Sequence, residues 1–153
     1  MHLVEDGRQS PQAQAIQRGA GRVLRAYGFA PVPELPLPTG RRADLAALDP
    51  KGTVWIVEIK SSLADFRADQ KWMEYRASCD ALFFAVAPEF PVEILPPDTG
   101  LIIADAYGGS IARPAPEHRL AAPARKAMTL SIARAAAARL HAAMDPDAGW
   151  ALG

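Results

Sequence analysis

Cysteine is nearly absent from the chain. Cys79 is the only one in 153 residues, which excludes an internal disulfide and any cysteine-rich zinc site. Beside Asp80 and just ahead of the apolar run from Ala81 to Ala87, it reads as a filler of the core rather than a reactive thiol. Net charge is absent too: 17 basic residues balance 17 acidic ones, so no broad electrostatic grip on nucleic acid is expected and any such affinity must be local. No apolar run approaches the ~18 residues that suggest a membrane span. Met1 to Gln12 is polar and mixed in charge, unlike a secretory leader, so the expectation is a cytoplasmic chain with no membrane partner. His2, His118 and His141 stand far apart without metal-ligand spacing, and no chemistry is assigned to them. There is no internal repeat, phosphate-cradling glycine loop or coiled-coil heptad.

Half of the residues are apolar, enough to build a core, and the length fits a single domain over 1–153 with loose tails at 1–9 and 145–153. Ser10 and Pro11 read as the cap and first residue of a helix that Gly28 ends, with Ile16, Ala20, Val23, Leu24 and Tyr27 at helical spacing. Pro31, Pro33, Pro36 and Pro38 limit Val32 to Leu37 to an irregular or edge strand. A hairpin follows. Ser62 or Asp65 can cap a helix over about 65–78, and Ala81 to Ala87 is a buried strand. Leu101 to Asp105 and Ser110 to Arg113 form a further strand pair around Gly108 and Gly109. Pro123 opens a long C-terminal helix to about Met144, with Met128, Ile132, Ala136, Leu140 and Met144 read as one face.

The stretch from Arg41 to Ser62 carries the chemistry. In Asp49-Pro50-Lys51-Gly52, proline suits the first central position of a type I turn and glycine the left-handed residue after it, which is the three-residue hairpin loop. That loop pairs Asp49 with Thr53 and, counted back along both strands, Asp44 with Glu58. Directly opposed residues share a sheet face at roughly 4.5 to 5.5 Å between Cβ atoms. Lys60, two residues beyond Glu58, joins them on that face. A two-residue loop would pair Asp44 with Val57 and send the carboxylates to opposite faces. Opposed like charges repel unless a cation offsets them, and a divalent ion on two hard carboxylates suits metal-assisted attack on a phosphate. Lys60 would then serve the attacking water or the charge growing on the phosphate oxygens. The alternative is a surface hairpin on which Lys60 or Arg42 pairs with the acids. Against it, Val54 to Ile59 is apolar on both faces around Glu58, as in a strand buried on both sides.

The Asp, the hairpin and the Glu-x-Lys together resemble the PD-(D/E)xK nuclease superfamily. The runs Gly40 to Asp44, Val57 to Ser62, Asp65 to Arg76, Cys79-Asp80 and Gly100 to Ala106 are similar to MmcB-type bacterial DNA repair proteins, over roughly residues 10 to 142. The resemblance implies an α/β, restriction-endonuclease-like fold: a central mixed β-sheet flanked by helices in the order α-β-β-β-α-β, with an added hairpin and a long C-terminal helix. It implies a role in DNA repair, and the bacterial cytoplasm is the expected location; the favoured reading of the site is a nuclease using Mg²⁺ or Mn²⁺ on damaged or structured DNA. Asp44, Glu58 and Lys60 take the catalytic positions, with Asp44 and Glu58 as metal ligands. Relatives place an acid on the first helix where this chain has Gln17, and Glu34 before the hairpin can supply a carboxylate in its stead. Arg41, Arg42, Lys71 and Gln17 are the candidates for contact with DNA; Lys71 and Tyr75, four apart, are expected on one helix face. Two alternatives stay open on the same fold: a module that holds DNA without cutting it, and a recruiter of other repair proteins. Homo-oligomerisation is open as well.

Overall fold

The computed structural model describes residues 9–147. Of the tails proposed at 1–9 and 145–153, residues 1–8 and 148–153 lie outside the described residues, whereas Gln9 is tied down, its amide donating to Gln17 at 2.8 Å. Helix α1 (Pro11–Ala26) starts where Ser10 Oγ accepts the Ala13 N–H and stops before Gly28, which takes φ +86°. Strands β1 (Ala30–Pro36), β2 (Arg42–Leu48) and β3 (Val54–Ile59) follow, then α2 (Leu63–Ala68), a 3₁₀ helix (Trp72–Ser78), β4 (Ala81–Val86), β5 (Gly100–Ala104), β6 (Gly109–Arg113) and α3 (Ala122–Met144). A short 3₁₀ turn, Val92–Ile94, lies between β4 and β5.

The six strands form one mixed sheet in chain order, parallel at β3-β4 and β4-β5 and antiparallel elsewhere. The proline-rich strand is indeed an edge, where missing N–H groups cost no ladder bonds. One sheet face packs α1 through Ile16, Ala20 and Leu24 on Leu45, Val57 and Phe83. The other packs Met128 and Ile132 of α3 and Tyr75 of the 3₁₀ helix on Ala46, Ile56 and Leu82. Strand β3 is therefore buried on both sides, as its sequence predicts. Glycine at position 19 lets α1 approach the β5-β6 turn, since a Cβ there would lie 2.0 Å from the Asp105 carbonyl oxygen.

The hairpin register is the one the turn chemistry dictates. Asp49 and Thr53 close the loop, Gly52 takes φ +88°, and Leu45 pairs with Val57. Gly52→Val is expected to lower stability by about 1–2 kcal/mol, because a side chain with a Cβ is forced into left-handed backbone. A urea titration reads this as a lower midpoint at unchanged slope; an unaltered midpoint would contradict the assigned role.

Two expectations need correction. The helix over 65–78 breaks at Asp69, which takes φ −96° and ψ 94°. Its carboxylate accepts the Lys71 N–H at 3.1 Å, a local bond that competes with helix continuation. The apolar row on α3 is buried only at Met128 and Ile132, while Leu140 and Met144 are exposed. Residues spaced by four advance about 40° per step on an α-helix, so the row winds off the sheet-facing side.

Candidate active site

At Asp44 the regular ladders of β2 are interrupted. The β1-β2 register steps over Glu34 and Asp44, and the β2-β3 register ends at Leu45 and Val57. Side chains replace the backbone rungs: Glu58 Oε2 accepts the Asp44 N–H at 2.9 Å, and Asp44 Oδ2 accepts the Ile59 N–H at 2.7 Å. The carboxyls are also within hydrogen-bonding reach of each other. They are thus fixed in register, with Glu58 buried in the sheet.

Asp44, Glu58 and Lys60 line one cleft of about 940 Å³ together with Ser10, the cap of α1, Ala13 of α1, Ser61, Asp65, Asp69 and Tyr75. It opens at the carboxyl end of β3, which pairs in parallel with β4, the usual location of ligand sites in open α/β sheets. Burial, then the charge on Glu34, raises the Asp44 pKa to about 6 against the pull of the Ile59 N–H. Burial and then Asp44 hold Glu58 well above the ordinary carboxylate range. Without a cation the pair therefore retains proton at near-neutral pH.

That cost is measurable. An acid whose folded pKa is raised loses stability as pH climbs from its unfolded value near 4 through about 6. A two-unit rise corresponds to about 3 kcal/mol. Asp44→Asn keeps an oxygen for the Ile59 N–H and removes the charge, so it is expected to stabilise the metal-free protein at pH 7.5 by about 1–3 kcal/mol, several degrees in Tm. The gain should vanish near pH 4, and a lower Tm at pH 7.5 would contradict the charge assignment.

Lys60 is buried, with Nζ 3.0 Å from Asp69 Oδ2. Asp69 also takes Arg41 at 3.1 Å. Although burial pushes its pKa up, the Lys60 ammonium and the other donors hold it below the ordinary value. Sequence reasoning missed Asp69 because it read as the interior of a helix; the one available signal was that aspartate often bonds the N–H two residues on. Tyr75 is a further member, within hydrogen-bonding reach of Glu58 and with its hydroxyl donating to the Arg42 carbonyl at 3.3 Å.

The candidate DNA contacts separate. Arg41 and Lys71 line a groove of about 400 Å³ that shares Asp65 and Asp69 with the cleft. The Arg41 guanidinium lies 4.6 Å from the Tyr75 ring centre, and its buried Nε has no hydrogen-bond partner among the described residues. Lys71 and Tyr75 do not share a face: the segment after Lys71 is 3₁₀, in which residues four apart sit a third of a turn apart. Arg42 is exposed and 3.1 Å from Glu34 Oε2, a contact without hydrogen-bond geometry. Glu34 itself takes φ +53° and lies level with Asp44, but its carboxylate is turned to Arg42 and does not line the cleft. Gln17 stands behind Gln9, which does line it. Among the described residues no group of three or more His, Cys, Asp or Glu gathers to hold a metal. Arg125, a basic residue remote from the cleft in sequence, is bonded to Asp80 at 2.7 Å through both Nη atoms. No helix of the described residues is long and apolar enough to cross a membrane.

A family model described as DNA repair protein MmcB-like matches residues 1–147. Among solved structures, the SPO1766 protein of unknown function from Silicibacter pomeroyi is similar. It is 46% identical, the match covers 95% of this chain and 100% of that one, and the TM-score is 0.89. No curated protein matches the sequence.

Proposed function

The chain belongs to the MmcB-like family of DNA repair proteins, and on that premise we propose that its cleft hydrolyses phosphodiester bonds of damaged or structured DNA with a divalent cation. The observation that carries this reading is the buried pair Asp44 and Glu58, locked in register across β2 and β3 beside a buried lysine. A sheet has no structural use for opposed carboxylates. Once a cation displaces the proton that the pair retains, its carboxylates offer the hard oxygen ligands that suit Mg²⁺ or Mn²⁺. The order of elements and the Asp, Glu-x-Lys positions are consistent with the PD-(D/E)xK nuclease superfamily.

Asp44 and Glu58 would hold the ion, which when bound polarises a phosphate oxygen and acidifies water. The backbone N–H of Ile59 and that of Asp44 fix the two carboxylates, so no reorganisation is needed as charge develops. Lys60, ion-paired to Asp69, is positioned as a donor to a phosphate oxygen, which favours the charge-stabilising role over that of a base. Arg41 and Lys71 in the adjoining groove suit phosphates on either side of the scissile one.

A panel of single-stranded, nicked, flapped and branched DNA with Mg²⁺ or Mn²⁺ tests the reading. Cleavage of at least one member is expected, abolished by chelation. Salt-sensitive binding without cleavage under either ion would instead favour the module that holds DNA, a reading the lack of a third clustered acid among the described residues supports. Repair in cells that survives loss of Asp44, Glu58 and Lys60 would favour the recruiter.

A further inference from the structure

Helix α1 begins in the carboxylate cleft, which Ser10 and Ala13 line, and runs for 16 residues. Its inner side packs Ile16, Ala20, Val23 and Leu24 into the core. Its outer side exposes Arg18, Arg22 and Arg25. At about 100° and 1.5 Å per residue these fall within an arc of roughly 60° and along roughly 10 Å of helix axis. The helix contains no Asp or Glu, and none of the three arginines makes an ion pair among the described residues. In a chain with zero net charge, a row without acidic partners among the described residues is a local positive field rather than part of a general basic surface.

A second feature adjoins the row. Arg22 Nη1 donates to the Tyr107 carbonyl at 2.7 Å, which fastens the β5-β6 turn to α1. Tyr107 is 84% exposed. The one acid of the turn, Asp105, accepts the N–H groups of Tyr107 and Gly108 instead of pairing with an arginine. A single exposed tyrosine is ordinary. One held beside arginines that make no ion pair among the described residues, on a helix that leads to a cleft proposed to cut DNA, matches the pairing of cationic track and stacking ring by which proteins take up unpaired strands.

We infer that the outer face of α1, with Arg18 and Arg25 on phosphates and Tyr107 stacked on a base, binds single-stranded DNA and leads it toward the Asp44 and Glu58 cleft. Single strand is favoured over duplex because the ring can stack only on a base whose face is free. The inference rests on the DNA reading of the cleft.

The test is fluorescence anisotropy of a labelled oligo-dT of about twenty nucleotides, titrated with the full chain in chelator at several salt concentrations. The chain carries Asp44→Asn throughout, so that no cleavage intervenes. Arg18→Ala with Arg25→Ala is expected to weaken binding about tenfold or more and to flatten the log-log salt slope by about 1.4, two phosphates at roughly 0.7 each. Tyr107→Ala is expected to weaken it about fivefold to a hundredfold with the slope unchanged. Since all three side chains lie on the surface, circular dichroism should match the parent. Affinity and slope within twofold of the parent in the double variant would overturn the inference, as would duplex binding that is equally tight and indifferent to Tyr107. The two readings fail separately. Cleavage with an inert α1 face removes only this inference, and strand binding through that face without cleavage under Mg²⁺ or Mn²⁺ removes only the nuclease.

Discussion

Asp44→Asn and Lys60→Ala are each expected to lower metal-dependent DNA cleavage by about 10² to 10³-fold or more, with the fold intact. That range is the typical loss when one preorganised electrostatic group is removed from a transition state, about 2.7–4 kcal/mol. Asparagine in place of Asp44 preserves volume and the acceptor for the Ile59 N–H at 2.7 Å, so only the anionic ligand is lost. Truncating Lys60 leaves Asp69 still paired with Arg41 at 3.1 Å, so no buried charge is stranded. The two variants should differ in how they fail. Asp44→Asn should raise the Mn²⁺ concentration needed for half-maximal rate, whereas Lys60→Ala should depress the rate at saturating metal. Because Asp44→Asn is also expected to stabilise the metal-free chain, loss of activity in it cannot be ascribed to unfolding. Equal activity in parent and both variants would reject the cleft as the active site.

Asp80→Ala is expected to destabilise the protein by about 3–5 kcal/mol, the cost of removing one partner of a buried ion pair. Asp80 is 2% exposed and accepts four bonds: the Val54 N–H at 2.8 Å, the Leu120 N–H at 2.8 Å, and both Nη atoms of Arg125 at 2.7 Å. Arg125 in turn donates to the Gly52 carbonyl. This cluster fastens the start of α3 to the strand that carries Glu58. Burial alone would raise the Asp80 pKa, but the Arg125 bonds and the two N–H groups bring it down to about 2. The sign follows: a depressed carboxyl stabilises the fold fully above its unfolded value near 4 and ceases to do so as pH falls through about 2. The parent should therefore lose about 2–3 kcal/mol from this group over that interval, and Asp80→Ala should lack that part of the acid transition. Urea midpoints from pH 7 to pH 2 check both statements. A variant within about 1 kcal/mol of the parent would contradict them.

The hairpin was legible in the sequence because local chemistry alone determined it. Pro50 and Gly52 chose the loop length, the loop length set the register, and the register placed Asp44 against Glu58. The proline-bearing edge strand, the capped first helix and the doubly buried β3 were legible for similar reasons, each resting on periodicity or on a missing N–H. What stayed hidden depended on partners remote in sequence. Asp80 and Arg125 are 45 positions apart, and nothing near Arg125 distinguished it from a solvated base. Asp69 was read as helix interior because propensity favoured continuation, and its bonds to Lys60 and Arg41 come from two other strands' ends. The basic row on α1 was passed over because three arginines among apolar positions look like the ordinary wet side of an amphipathic helix. Only the fold reveals that no acid among the described residues pairs with them and that Tyr107 stands beside them.

If two acids brought into register by a glycine-containing loop hold a divalent cation, the purified chain should bind Mn²⁺ at pH 7.5 without any DNA present. Calorimetry or electron paramagnetic resonance should detect at least one bound ion per chain in the parent. In Asp44→Asn combined with Glu58→Gln, affinity should fall by at least about a hundredfold, as expected when both anionic ligands of a hard ion are removed. Mn²⁺ held equally well by the double variant, or by neither protein, would be incompatible with a metal site at this pair.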